Sequence, residues 1–418
     1  MNEKLLHYIW KYRLFNQSNL YTIDDQKIHI LHPGHHNQNQ GPDFLHARIR
    51  INKIEWVGNI ELHVKSSDWN HHKHSDDDNY KNVILHVVWI HDKSIDISFP
   101  TLQLQDITSK LLLHKYQNLT EKKKFIPCEN IKPDLNDLLL LKLKERLVIE
   151  RLQQKASQLQ NSLEKLNFDW LELFWRLICR NFGGKINADA FEKIACNTPI
   201  KVLIKIQPDL FQIEAILFGQ AGLLSHHHPD EYQRKLGKEY VFLKNKFSIN
   251  KPRININYLR MNPNAFPTIR ISQLAMFIHS NANDFLNILN HDNLDEIIKC
   301  FRIGTSDYWN THYIFNKKSR FKKKYTGVEF INTIIINTIV IMKFLIEKNR
   351  NDSSYVENSI NFLEKTKAES NLIIKEFQKN KLISKNAFDS QAYIQLKKEY
   401  CDHLGCLDCM IGKQIFKI

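Results

Sequence analysis

The sequence lacks an uninterrupted apolar run long enough to cross a membrane. A membrane-spanning helix needs about 20 mostly apolar residues. The most apolar segment, FINTIIINTIVIMKFLIEK at 330–348, is interrupted by the polar side chains of Asn332, Thr333, Asn337, Thr338 and Lys343. The segment therefore predicts a buried helix, and we expect no membrane partner.

The sequence also lacks the features of an export signal and of a disulfide framework. Residues 1–15, MNEKLLHYIWKYRLF, carry acidic and basic side chains within their first apolar stretch and have no small-residue cleavage site. The seven cysteines are an odd number, and in a long chain without an export signal they do not indicate disulfides. We therefore expect a cytoplasmic protein of bacterial type.

Length and charge narrow the class of protein further. The chain has 418 residues, 43% of them hydrophobic and 25% charged, which is typical of a globular protein of two or three domains. The formal net charge of +14 favours an anionic partner such as nucleic acid. Lysine far outnumbers arginine, however, and such a bias can also come from the base composition of the coding DNA.

The first third of the chain carries the pattern of a β-sheet. FLHARIRI and WVGNIELHVK alternate apolar and polar residues across a hairpin-length connection, and NVILHVVWI is a continuous apolar run typical of a strand buried on both faces. An amphipathic helix at 1–12 precedes them. The predicted strands cover residues 27–34, 44–51, 56–65, 82–90 and 94–99.

The rest of the chain has helical spacing and no internal repeat. We predict an α+β protein, with an N-terminal mixed β-sheet domain at 1–125 and a larger all-α domain at 126–418. The predicted helices of the second domain cover residues 138–159, 168–182, 187–196, 208–223, 229–245, 271–288, 328–348 and 354–379.

The stretch GPDFLHARIRINKIEWVGNIELHVK, residues 41–65, carries the most suggestive chemistry. Hydrolysis of a phosphodiester needs a divalent cation and a group that orients or deprotonates the attacking water. Asp43 and Glu61 are carboxylates of the kind that magnesium or manganese prefers. His63 and Lys65 follow Glu61 at two-residue steps, so their side chains lie on the same face of the strand. We predict that Asp43 and Glu61 hold the cation while His63 meets the water.

The order and spacing of these residues resemble the PD-(D/E)XK nuclease superfamily. That resemblance implies a restriction-endonuclease-like α/β core, with Asp43 and Glu61 as metal ligands and the Leu62 carbonyl as a third. The sequence departs from the pattern in three ways. His63 stands at the lysine's place, and SSDWNHHKHSDDDNY has little helical character where a second helix is expected. An in-register hairpin also leaves Asp43 dependent on a local twist to reach Glu61.

A histidine-rich loop follows the Glu61 strand. His72 and His74, together with Asp77, could bind zinc or another transition metal, and the alternative is an ordinary polar loop. His86 lies inside the apolar strand at 82–90, where a buried imidazole needs a partner. That partner is either a structural hydrogen bond or a group at the metal site beside Glu61.

The whole chain also resembles members of a bacterial family defined only as a domain of unknown function. The matching motifs are HPGHHNQNQGPDF, GNIELH with SSDW, YKNVILHVVW, PNAFPTIRISQLA, DYWNTHY and the cysteine-rich end. This resemblance spans nearly the entire sequence and implies no activity.

The C-terminal sequence YCDHLGCLDCMIGK spaces Cys401, Cys406 and Cys409 as C-x4-C-x2-C. Three close cysteines in an intracellular chain indicate a metal site, either zinc or an iron–sulfur cluster. Cys128 is the first choice for the fourth ligand and His403 the second. The alternative is a set of reduced, unligated thiols.

Basic side chains provide candidate contacts to phosphate. Aromatic residues accompany several of them, and such rings can stack on unpaired bases while the charges follow the backbone. Core aromatics beside a solvated basic loop would give the same pattern. The candidates are Arg48, Arg50, Arg260, Arg270, Lys322 and Lys323.

These observations predict a nuclease that uses magnesium or manganese and acts on DNA or RNA. Two alternatives stay open. The chain could be a non-catalytic nucleic-acid-binding protein that retains a nuclease-like fold, or a metal-stabilised interaction scaffold whose positive charge is compositional. The sequence predicts no particular protein partner.

Overall fold

The chain forms two compact units. The computed structural model describes residues 1–37, 39–72, 74, 77–120, 124–129, 131, 136–224, 230–250, 254–281 and 285–416. The first unit consists of Met1–Leu135 together with Glu399–Ile418, and the second of Asn136–Lys398. The first unit holds all of the residues that the sequence nominates for metal-dependent chemistry.

One mixed sheet is the centre of the first unit. Its strands are β1 (Ile28–His32), β2 (His35–His36), β3 (Phe44–Ile51), β4 (Ile54–Lys65), β5 (Val83–Ile90) and β6 (Thr101–Gln103). The strand order is β1-β3-β4-β5-β6, and β2 also pairs with β3. The first three strands of this order are antiparallel neighbours, whereas β5 runs parallel to β4 and β6 runs parallel to β5.

Helices flank the sheet and fill the second unit. The helix bounds are α1 (Glu3–Lys11), α2 (Asp68–His71), α3 (Lys110–Thr120), α4 (Asp137–Lys165), α5 (Trp170–Phe182), α6 (Gly184–Asn197), α7 (Ile200–Lys205), α8 (Leu210–Gln220), α9 (Glu231–Lys246), α10 (Pro267–Asn281), α11 (Leu294–Phe301), α12 (Val328–Ile334), α13 (Val340–Asn349), α14 (Tyr355–Lys365), α15 (Leu372–Lys379), α16 (Ala387–Gln395) and α17 (Met410–Phe416). Short π-helical segments occupy Ile335–Ile339 and Leu396–Cys401. A mixed sheet followed by a helical region is the α+β organisation that the sequence predicts.

Helix α1 shows why this sequence packs against the sheet. The Asn2 side chain caps its first turn by accepting the Leu5 amide at 2.9 Å. Leu6, Ile9 and Trp10 recur at helical spacing and are fully buried. The Trp10 indole donates to the Pro33 carbonyl at 3.0 Å, which ties the helix to the end of β1. The amphipathic helix predicted at 1–12 is therefore present.

A β-bulge in β3 determines where Asp43 lies. Ile51 pairs with Ile54 and Ala47 with Gly58, but Phe44 pairs with Ile60, so β3 carries one residue more than β4 between these pairs. His46, inside the bulge, adopts a left-handed φ of 56°. A one-residue shift moves the preceding side chain to the other face of the sheet. The bulge thus supplies the offset that places Asp43 beside Glu61.

Two local predictions were wrong. Residues 94–99 form no strand, and the strand that pairs with β5 is β6, a few residues later. A parallel neighbour requires a crossover connection, and residues 91–100 provide it. The helix predicted at 354–379 is interrupted at 366–371, where Lys367 pairs in a β-bridge with Asn386. Residue 229 and residues 282–284, part of two other predicted helices, lie outside the described residues.

The most apolar segment of the chain runs through α12, the first π-helical segment and α13. By length and composition alone Val328–Asn349 could cross a membrane, and 67% of its most apolar window is buried inside the structure. Burial of this extent is typical of a core helix, and a single such helix is weak evidence for a span.

Candidate metal centre

Residues 60–63 of β4 are buried, including the two polar residues among them. Glu61 is 5% exposed and His63 is 1% exposed, between the buried Ile60 and Leu62. On the neighbouring parallel strand His86 is paired with Glu61 and is fully buried. Burying three ionisable side chains together is costly unless they find partners, so this cluster points to a binding site.

The histidine-rich loop closes over the cluster. It forms one helical turn, α2, and a short 3₁₀ turn at Asp78–Tyr80, where a full second helix was expected from the nuclease resemblance. Trp69 of α2 is buried, with ring centroids 5.2 Å from His74 and 5.3 Å from His86. Tyr80 stacks on the other side of His74 at 3.9 Å. These aromatic rings hold His74 over the end of β4.

His63, His72 and His74 form a group that could hold a metal ion. Each offers one ring nitrogen, and the three nitrogens lie within 4.8 Å of one another. His63 is buried, the His74 side chain is 10% exposed and His72 is exposed, so solvent reaches the group from one side. Within the described part of the chain, Cys401, Cys406, Cys409 and Cys128 form no comparable group.

The spacing of the group fits a tetrahedral ion. Ligands at about 2.0–2.1 Å from a tetrahedral zinc ion lie about 3.4 Å from one another. His63 Nε2 is 3.2 Å from His72 Nδ1 and 3.6 Å from Glu61 Oε1. His74 Nε2 is 3.3 Å from the same Glu61 oxygen and makes no hydrogen bond with any described residue. These contacts have the length of tetrahedral edges.

Burial keeps the central imidazoles in the form that binds metal. Desolvation, together with the neighbouring imidazoles, lowers the pKa of His63 to about 2 and that of His86 to about 3. A neutral imidazole has a free lone pair, which a metal requires. His63 Nδ1 lies 2.8 Å from His86 Nε2. If His63 Nδ1–H donates in this contact, His63 Nε2 is left free to face the metal group.

Asp43 and Glu61 hold each other in place through the backbone. The Asp43 amide donates to Glu61 Oε2 at 3.1 Å, and the Leu62 amide donates to Asp43 Oδ2 at 3.0 Å. Burial raises the pKa of Glu61 above its usual range. The structure therefore brings Asp43, Glu61 and His63 to one place, with Glu61 Oε1 directed at the imidazoles and one Asp43 oxygen occupied by the backbone.

His7 of α1 is a member of the site that sequence reasoning missed. Its Nε2 lies 3.2 Å from Asp43 Oδ2. Burial is the largest single effect and lowers the pKa of His7. The contact with Asp43 and the negative charges of Asp43, Glu3 and Glu61 together outweigh burial and leave the pKa above its ordinary value. The available signal was the position of a histidine beside Leu5 and Leu6, at the margin of the apolar face of an amphipathic helix.

Other predicted site residues lie at the edges of this centre. Lys65 is exposed at the end of β4, two residues beyond His63, and its amide donates to the Asp68 carboxylate. Asp77 Oδ1 caps the 3₁₀ turn by accepting the Asn79 amide at 2.9 Å. Neither side chain belongs to the three-imidazole group.

The predicted phosphate-binding residues are spread over both units. In the first unit, Arg48 and Arg50 project from β3 towards Glu55, and Arg48 bonds to its carboxylate. In the second unit, the Arg270 guanidinium stacks at 3.6 Å on the Phe330 ring, and burial lowers its pKa to about 10. The other three side chains of the set are exposed in the second unit; they are Arg260, Lys322 and Lys323.

The cysteines of the two chain regions lie in the same unit. Burial raises the pKa of Cys128 to about 11, and a charge on Cys409 would raise it further. Burial likewise raises the pKa of Cys406 to about 12, and a charge on Cys128 or Cys409 would raise it further. Cys401 ends the second π-helical segment. The thiols of Cys128, Cys406 and Cys409 are therefore close enough to influence one another electrostatically.

Comparison with known proteins gives a family and no activity. No curated protein and no solved structure matches the chain. A family model described as "Protein of unknown function (DUF2851)" matches residues 3–372, which include every residue of the metal centre. The cysteines at 401, 406 and 409 follow the matched region. The chain therefore belongs to the DUF2851 family.

Proposed function

We propose that the protein is a metal-dependent hydrolase that cleaves phosphodiester bonds in nucleic acid. One observation carries the proposal: three imidazole nitrogens and the Glu61 carboxylate converge at metal-ligand spacing beside Asp43. The strand order, with an antiparallel β1-β3-β4 meander and a parallel β5, supports the resemblance to PD-(D/E)XK nucleases. The net charge of +14 supports a polyanionic substrate.

A transition-metal ion suits this donor set better than magnesium. The expectation of magnesium or manganese rests on two carboxylates, whereas the converging side chains include His63, His72 and His74. Imidazole nitrogen favours zinc, iron, copper or nickel, and magnesium favours oxygen ligands. We propose zinc as the first choice, because it binds imidazole in three-ligand catalytic sites and the His63 and His72 nitrogens lie 3.2 Å apart, the edge length of a tetrahedral site.

In this proposal Glu61 is the general base. A catalytic zinc site keeps three protein ligands and a fourth position for water. Glu61 Oε1, 3.3 Å from His74 Nε2 and 3.6 Å from His63 Nε2, would lie within reach of a water bound by an ion that these imidazoles held. Its raised pKa suits a group that accepts a proton from water near neutral pH. Asp43 positions Glu61 through its backbone amide. The metal supplies charge stabilisation for the phosphorane-like transition state.

Glu61→Gln tests this role. The variant keeps the shape of the side chain and loses the base. We expect it to retain the metal ion at the histidines and to lose cleavage of labelled DNA and RNA by at least about 100-fold, the typical contribution of a general base. His71→Ala is the matched control, since the His71 side chain is 74% exposed and lies outside the group. Equal cleavage by Glu61→Gln and wild type would contradict the proposal.

A structural metal site is the second candidate. Glu61 Oε1 itself completes the tetrahedral spacing, and four protein ligands would close the site to substrate. In that case Glu61→Gln loses the metal together with thermal stability, and no nucleic acid is cleaved. Metal analysis of the same variant therefore separates the hydrolase from the metal-stabilised scaffold.

A further inference from the structure

A cleft of about 520 Å³ opens in the first unit between α1, α3 and the C-terminal segment. Its volume lies within the range of sites that bind small molecules or parts of polymers. Three lysines and three tyrosines line it, and the acidic side chain among the lining residues is Asp408. The six side chains are Lys4, Lys11, Lys413, Tyr8, Tyr12 and Tyr116.

Tyr12 is the centre of this lining. It is 41% exposed, which is unusual for a large ring on the margin of a buried helix. The ammonium groups of Lys11 and Lys413 lie 5.7 Å and 5.6 Å from its ring centroid, one from each wall. The Tyr8 ring packs 4.7 Å behind it. A partly exposed aromatic ring accompanied by two ammonium groups suits a planar base attached to a phosphate.

The cleft reaches the metal centre through α1. His7 and His36 line its inner end, with ring centroids 5.4 Å apart. His7 Nε2 contacts Asp43 Oδ2 at 3.2 Å, and the Asp43 amide donates to Glu61. A chain lying across Tyr12 would therefore run towards the carboxylates of the candidate site.

We propose that this cleft binds single-stranded nucleic acid. Stacking on Tyr12 requires an unpaired base, because the bases of a duplex are stacked on one another. Lys11 and Lys413 then pair with the phosphates on either side of that base. An acidic peptide would meet the same charges but has no aromatic face to match the tyrosines. The direction of the chain towards Glu61 rests on the proposed hydrolase, whereas binding itself does not.

Fluorescence anisotropy with the full chain tests the cleft. The probes are labelled oligo(dT) and oligo(U) of about 12 nucleotides, within the size of known single-strand sites, and a duplex of equal length. The Glu61→Gln background prevents cleavage during the titration. We expect Tyr12→Ala to weaken binding of the single strands at least about fivefold, as loss of one stacked base does.

Removal of the two lysines gives an independent readout. In Lys11→Ala/Lys413→Ala, the slope of log affinity against log salt should fall by about 1.4, or about 0.7 for each lost phosphate contact on a single strand. Tyr21→Ala and Lys53→Ala are the matched controls, since both residues are exposed in the same unit and outside the cleft. We expect them to bind as the parent protein does.

The experiments distinguish a failure of the binding proposal from a failure of the hydrolase proposal. Three results would each contradict the proposal that the cleft binds single-stranded nucleic acid, even if the wild type cleaves nucleic acid. They are unchanged affinity in Tyr12→Ala, tighter binding of the duplex, and equal competition by poly-glutamate. Binding that depends on Tyr12 without any cleavage by the wild type would support the cleft and overturn the hydrolase. Preference for oligo(dT) or oligo(U) assigns DNA or RNA as the ligand.

Discussion

Burial keeps the His63 side chain in the neutral form that could bind a metal. An exposed histidine is partly charged near neutral pH, and a charged imidazole cannot bind a metal. His63 is 1% exposed and its pKa is lowered to about 2, so it is neutral throughout the physiological range. His72, at the other end of the group, is exposed. The three-imidazole group therefore combines a buried, neutral imidazole with one that is open to solvent.

The histidines differ in their predicted effect on metal content. We expect His74→Ala to lose the metal equivalent at the histidines, because one of the three nitrogens is removed. Loss of an outer partner alone typically weakens metal affinity about 10–100-fold. Inductively coupled plasma mass spectrometry of dialysed protein measures the metal. His71→Ala, three residues away and exposed, should bind as the wild type does. Full metal content in His74→Ala would exclude this centre.

Lys155 is an ionisable side chain whose charged form is disfavoured by burial. Its ammonium donates to Asn337 Oδ1 at 2.7 Å, in a small cavity lined by Leu152 and Ile341. Burial, with the charge of Arg151 as the next cause, lowers the pKa of Lys155 to about 7. Between that value and the ordinary pKa of lysine, about 10.4, the unfolded chain binds more protons than the folded chain. The stability contributed at this position therefore rises with pH across that window.

Lys155→Met should reveal this dependence. Methionine has a similar length, fills the apolar cavity and carries no charge. We expect the melting temperature of the variant, relative to wild type, to be highest below pH 7 and to fall as the pH rises towards 10. Thermal unfolding at several pH values measures the difference, with the exposed Lys142→Met on the same helix as control. A difference that does not change with pH would contradict the assigned pKa.

At the scale of secondary-structure elements, the sequence predicted the strands but not the register between neighbouring strands. Alternation identified β3 and β4 within a few residues, and the continuous apolar run identified β5. The bulge at His46 could not be recognised from the sequence, because residues 45–51 alternate apolar and polar side chains without interruption. Tertiary contacts determine that offset: the His46 amide donates to the Asn59 side chain at 3.3 Å. Periodicity alone could therefore name Asp43 and Glu61 without showing that they meet.

Gly58 of β4 contributes to the same arrangement through the packing of β4 against β5. A Cβ at this position would lie 2.5 Å from Ile84 Cγ2 and 2.6 Å from the Asn82 carbonyl oxygen. The register of β4 and β5 shifts just beyond it, between Asn59 and Ile60. The glycine of GNIELH is explained by the close approach of β4 to residues 82–84, and not by an unusual φ. It also places Glu61 level with His86.

Gly58→Ala should destabilise the first unit. Because the nearest atoms include a backbone oxygen, relief requires movement of β5, and overpacking of this kind costs about 1–3 kcal/mol. Chemical denaturation measures the loss in unfolding free energy. Gly327→Ala is the control, since a Cβ there meets nothing within 4 Å. Equal stability of the two variants would show that β5 yields without cost.

At the scale of the whole molecule, the chain ends in the unit where it began. Glu399–Ile418 belong to the first unit, although the whole of the second unit separates them from residue 135 in sequence. The Lys115 ammonium of α3 donates to the Ile415 carbonyl of α17 at 3.2 Å. The Phe416 ring lies 5.6 Å from Tyr8 of α1. Of these three helices only α1 was predicted from its apolar pattern, and α3 and α17 were not. Patterns within single helices also could not show which helices pack together.

The cysteines provide a test of how the C-terminal segment is held in the first unit. Cys128 of the N-terminal region lies near Cys406 and Cys409 of the C-terminal region, and burial raises the pKa values of Cys128 and Cys406. A metal that bound them would lower those pKa values and close a loop that includes the entire second unit, which restricts the unfolded chain. We predict that anaerobically purified protein holds such a metal in addition to the one at the histidines.

Variants at each site separate the two metals. Cys128→Ser should lose one metal equivalent and keep the histidine-bound ion, whereas His74→Ala should do the reverse. Cys196→Ser is the control, since Cys196 is exposed in the second unit. Elemental analysis identifies zinc, and visible absorbance identifies an iron–sulfur cluster. Full metal content in Cys128→Ser, with loss only in Cys406→Ser, would make His403 the fourth ligand. If both cysteine variants match wild type, the C-terminal segment is held by the packing of α17 alone, and its cysteines are ordinary buried thiols.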